Sequence, residues 1–128
     1  MSTLTVSNIS DSTTTVGTSY VVNGSAKAWI NFDGTGTIAI RDSLNVASLT
    51  DNDEGVYTIN LSSAFSAADY AFTSAKGRTG ANGGTIQAHT NVAGGAPSAS
   101  SLRVINTIEN WTTSDEQYLN VSFHGDLA

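Results

Sequence analysis

Residues 26–61 read AKAWINFDGTGTIAIRDSLNVASLTDNDEGVYTINL, and their pattern decides the fold. Ala28, Ile30 and Phe32 alternate with Lys27, Trp29, Asn31 and Asp33. Ile38 and Ile40 alternate with Ala39 and Arg41, and Leu44 and Val46 follow. Tyr57, Ile59 and Leu61 then alternate with Val56, Thr58 and Asn60. A period of two sends successive side chains to opposite faces of a sheet. The runs Asp33-Gly34-Thr35-Gly36 and Asp51-Asn52-Asp53-Glu54-Gly55 supply the turn residues that close hairpins. The stretch predicts a meander of four short strands.

Working outward, Tyr118–Gly125 is a further strand, with Leu119, Val121 and Phe123 inward and Asn120, Ser122 and His124 outward. Leu102–Thr107, Thr85–Thr90 and Tyr70–Ser74 read as strands too. Ser62–Asp69 predicts a single turn with Phe65 plugging the core, and it is too short to stand as a helix. Two loops, Lys76–Gly84 and Asn91–Ser100, are glycine-rich, and Ile108–Glu116 is a polar excursion containing Trp111. Strands at roughly ten-residue spacing, with no crossover helix, predict an all-β, antiparallel β-sandwich, jelly-roll-like, of about eight short strands. The expected core is Ile30, Phe32, Ile38, Ile40, Leu44, Val46, Tyr57, Ile59, Leu61, Phe72, Leu119, Val121 and Phe123.

Residues 1–25 read differently. Leu4 and Val6 alternate with threonines as a weak strand, SDSTTT is an exposed turn, and Val16–Val22 reads as a strand closed by Asn23-Gly24. Little apolar content anchors this piece, so residues 1–25 are expected to be a weakly anchored N-terminal arm and 26–128 the sandwich domain.

Composition agrees with that division and narrows the function. Only 12% of the 128 residues are charged, against about 25% in an ordinary domain. A net charge of −6 opposes binding to phosphate backbones and to anionic membrane surfaces, so neither nucleic acid nor membrane is an expected partner. No apolar run approaches a membrane span, and no secretory leader is visible. The absence of cysteine fits synthesis in a reducing cytoplasm.

Motifs of chemistry are few. Gly34-x-Gly36-x-x-Ala39 fits a dinucleotide fingerprint formally, but a strand rather than a helix follows it, so it reads as a hairpin turn. Gly77-Arg78-Thr79-Gly80 resembles a KH-type loop in a chain too acidic for that role. Asp51, Asp53 and Glu54 offer oxygens to a weak Ca²⁺ site, although Gly55 breaks the EF-hand pattern, and a solvated turn is the favoured reading. His89 and His124 lack metal-ligand spacing. No nucleophile elbow or carboxylate pair stands out, so neither an enzyme nor a cofactor is expected.

Two tryptophans remain. Trp29 falls on the face opposite Ile30 and Phe32, and is expected either under the second sheet or at a subunit interface. Trp111 lies beside Asn110 and Thr112, and with Arg78 and Asn82 it offers the stacking and hydrogen bonds that a glycan requires.

The run AKAWINFDGTGTIAIRDSLNVASLTDN (residues 26–52) resembles a block of short bacteriophage virion proteins of the tail fibre type. The opening MSTLTVSNI and the closing YLNVSFHGDLA are similar to the first and last strands of those proteins. The resemblance implies a β-rich virion structural protein made in the host cytoplasm, often a homotrimer, with other tail or capsid proteins as partners. The expected function is a small tail- or head-fibre knob presenting loops to the host surface, where a glycan is the candidate receptor. Capsid decoration (a cement protein stabilising the shell) is the alternative, and a carbohydrate-binding module the second.

Overall fold

The computed structural model describes residues 1–77, 86–87, 96–108 and 111–128. In chain order the elements are β1 (Asn8–Ser10), β2 (Thr15–Gly17), α1 (Thr18–Gly24), β3 (Ala28–Asp33), β4 (Ala39–Leu44), β5 (Val46–Asp53), β6 (Val56–Leu61), β7 (Ala71–Gly77), β8 (Ile86–Gln87), β9 (Ser101–Asn106) and β10 (Tyr118–His124).

Eight of these strands form two four-stranded antiparallel sheets, ordered β4-β3-β10-β7 and β5-β6-β9-β8. Their inner faces share one core of Ala28, Ile30, Phe32, Tyr57, Ile59, Leu61, Phe65, Tyr70, Leu102, Val104, Leu119, Val121 and Phe123. The Phe32 and Tyr57 rings meet edge to face across the two sheets, with centroids 5.1 Å apart. The fold is therefore all-β, as the alternation predicts.

The quoted stretch does not form one meander. Strands β3 and β4 pair in one sheet, β5 and β6 in the other, and the chain changes sheets at Asn45. Asn45 has φ +56°, a left-handed conformation that Asn tolerates better than most residues. Its side chain accepts from Ser63 N at 2.7 Å and donates to Ser63 O at 3.0 Å, which ties this corner to the segment after β6.

The expected core needs correction on its outer margin. Ile40 and Leu44 are exposed, because β4 is an edge strand whose register slips at a bulge between Asn31 and Phe32. Ile38, Val46 and Phe72 are partly buried against the core. Ala28, Phe65, Tyr70, Leu102, Val104 and Ile105 are buried as well. Phe65 stacks on Tyr70 at 4.5 Å and so closes one end of the sandwich.

The opposite end is closed by polar groups. The Tyr57 hydroxyl donates to Asp115 Oδ1 at 2.6 Å, and Gly55 N donates to the same oxygen at 2.8 Å. Gly34 passes so close to Tyr57 that a Cβ there would overlap the phenol. Gly55 has φ +67°, and a Cβ would lie 2.6 Å from Ser114 N. Asn106 is buried, and its side-chain amide donates to Ser114 O, pinning the excursion after β9. Glu116, expected in that polar excursion, is 3% exposed, and its backbone carbonyl accepts from Gly34 N at 2.9 Å.

Residues 1–25 add nothing to the shared core. Strands β1 and β2 pair only with each other, around an Asp11 turn whose carboxylate accepts from Thr13 N and Thr14 N. The expected strand over Val16–Val22 is a strand only to Gly17, after which the chain turns into α1. After Gly17 the chain leaves the β1–β2 ladder and pairs with no other strand. Thr18 turns the chain by bonding back through N and Oγ1 to Ser7 O, and the residues after it close on themselves as α1.

Candidate functional site

Three surfaces could carry function: the arm, the excursion bearing Trp111, and the outer face of the sheet β4-β3-β10-β7.

On the arm, Leu4, Val6, Ile9, Val16, Tyr20, Val21 and Val22 are all exposed. Leu4, Val6, Ile9, Val21 and Val22 border a groove of about 320 Å³ between the first residues and α1. The helix is weak by every local criterion. It has seven residues, no side-chain cap, no acidic residue in its first turn, no basic residue in its last and no buried residue. The arm touches the sandwich through a few polar contacts: the Lys27 ammonium donates to Val22 O, and His124 Nδ1 lies 3.3 Å from Gly24 O.

Trp111 is exposed and has φ +64°. Arg78 and Asn82 lie outside the described residues, as do His89 and most of the two glycine-rich loops, so the expected grouping of Arg78, Asn82 and Trp111 has no described geometry. Asp51, Asp53 and Glu54 sit on the β5–β6 hairpin, where Asp53 Oδ1 accepts from Glu54 N. Among the described residues no group of three acidic or histidine side chains is placed to hold a metal ion. Also among the described residues, no helix is long and apolar enough to cross a membrane.

Trp29 lies on the outer face of its sheet, half-buried, as the alternation predicts. Its row across the sheet is Leu44, Trp29, Ser122 and Thr73. The next row is Asp42, Asn31, Asn120 and Ala75. The Thr73 and Ser122 hydroxyls bond each other at 2.7 Å, and the Asn31 amide donates to Asn120 Oδ1. Further along the face, Arg41 pairs with Asp33 at 2.7 Å, donates to Gln117 O and lies 4.5 Å above the Tyr118 ring. The Asp33 carboxyl is held below its ordinary range, first by hydrogen bonds from the Thr35 hydroxyl and amide and then by Arg41. Trp29 alone was singled out from the sequence. Asn31, Asn120, Thr73 and Ser122 carry no motif, and only the strand register brings them beside it.

Comparison with known proteins finds no matching family model, no matching curated protein and no matching solved structure.

Proposed function

We propose that this chain is a structural protein of a bacteriophage particle, a small β-sandwich knob held to the particle by its N-terminal arm. One observation carries the reading: residues 1–25 expose a row of large apolar side chains while the sandwich core is complete without them. Apolar surface of that kind on a marginal helix marks a segment that orders fully against a partner. The resemblance of residues 26–52 to virion proteins of the tail fibre type supplies the kind of partner, a tail or capsid protein. The arm is also the apolar surface available for self-association, and a homotrimer is the state we propose. Catalysis has no part in this role.

The same arm suits capsid decoration, so location on the particle separates the two readings. Gold-labelled antibody against the sandwich, imaged on purified virions, should mark the tail or a fibre for the knob and the shell for decoration. Label on neither, with the protein absent from purified particles, removes the virion proposal. Exchange of residues 78–84 and 91–95 tests host presentation: adsorption should change while particle assembly stays intact.

A further inference from the structure

We propose that the outer face of the sheet β4-β3-β10-β7, centred on Trp29, is a binding platform for a neutral saccharide. This site lies on strands of a sheet, and it does not depend on the arm or on a virion role.

The shape comes first. Trp29 borders an open depression of about 380 Å³ shared with Thr73, Ala75, Asn120 and Ser122. A sugar ring has one face of C–H groups and a rim of hydroxyls. An indole on a flat sheet meets the C–H face, and amides and hydroxyls around it meet the rim. Among the described residues Trp29 Nε1–H has no protein acceptor, so it too is available as a donor.

The polar groups beside Trp29 are already fixed. Asn31 and Asn120 hold each other's orientation, as do Thr73 and Ser122. Each pair uses only part of its hydrogen-bonding capacity: the Asn31–Asn120 bond takes up the Asn31 NH₂ and the Asn120 carbonyl, which leaves the Asn31 carbonyl as an acceptor and the Asn120 NH₂ as a donor. Side chains ordered beforehand lose less freedom on binding.

Charge selects the class of sugar. Of the cations on this face, Arg41 is committed to Asp33, Gln117 O and the Tyr118 ring. The Lys27 ammonium is held by Val22 O and Ser25, and Lys76 donates inward to Thr107 O. The chain carries −6 overall, so an acidic sugar is repelled and a neutral one is not.

A second copy of the chain suits this face less well. The centres of subunit interfaces are rich in aromatics, Met and Arg and poor in Ser and Ala. Here Trp29 has one apolar cross-strand neighbour, Leu44, and the rest of the two rows is Ser122, Thr73, Asp42, Asn31, Asn120 and Ala75.

The test titrates cellohexaose, laminarihexaose, maltohexaose and mannohexaose into the full chain, followed by calorimetry and tryptophan fluorescence. At least one should bind. Trp29→Ala should weaken it about tenfold or more, and Asn120→Ala several-fold. Trp29→Tyr, which keeps a stacking ring and the local packing, should stay within about threefold, and Trp111→Ala should leave binding unchanged. Three results overturn the proposal. One is no binding of any of the four to the wild type at about 10 mM. Another is binding lost in Trp111→Ala and kept in Trp29→Ala. The third is light scattering in which Trp29→Ala converts an oligomer to monomer, which makes this face a subunit contact.

Discussion

Asn45 sets the architecture from a single position. It turns the chain from one sheet to the other at φ +56°, and both ends of its amide are bonded to Ser63. Asn45→Ala loses both bonds and the tolerance for that conformation, and should lower stability by about 2 kcal/mol in urea unfolding. Asn45→Gly keeps the conformation and should lose less. Tyr57 is the second position that matters out of proportion. Burial, and then the hydrogen bond to Asp115, push its phenol far above the ordinary value. The unfolded chain gives up this proton near pH 10, whereas the folded chain holds it. Stability from this group is therefore complete below about pH 10 and falls as pH rises above it. Burial raises the Tyr70 phenol too, so Tyr57→Phe should reduce rather than abolish the alkaline slope in thermal melts taken as a function of pH, and an unchanged slope would show that the Tyr57 phenol is not a cause. Trp29's face could be read from sequence, because alternation with Ile30 and Phe32 leaves no choice. Asn45's role could not, since nothing local distinguishes a turn within a sheet from a step between two.

At the scale of elements, strands were legible wherever one face is buried. Strands β3, β6 and β10 show the full inside–outside alternation, and each was read directly from it. Edge strands weaken the signal: β4 carries Ile40 and Leu44 in the right pattern, yet a bulge and an uncovered margin leave both exposed. The arm failed for a related reason. Val21 and Val22 look like strand residues, but after Gly17 the segment pairs with no strand and forms α1. Since α1 buries nothing, deleting residues 1–25 should shift the melting temperature of the sandwich by no more than about 2 °C. Hydrogen exchange should show fast exchange over β1, β2 and α1 against strong protection in β3, β6, β9 and β10. A drop of about 10 °C on deletion would instead make the arm part of the folded core. The proposed saccharide platform was half legible. Its aromatic stands out, whereas its amides, 89 residues apart in the chain, and its hydroxyls, 49 apart, meet only through register.

For the whole molecule, the proposed role divides between a sandwich with its own core, which would be presented, and an arm outside that core, which would attach. Light scattering of the purified chain should give about three times the 13.2 kDa chain mass at high micromolar concentration, and a monomer there would remove the trimer for the isolated protein. The central claim, attachment through residues 1–25, is tested most directly by counting this protein in purified particles assembled with the arm-deleted chain. The account predicts that the arm-deleted sandwich stays folded and soluble while its copy number on particles falls to background. Incorporation at the full-length level would contradict it.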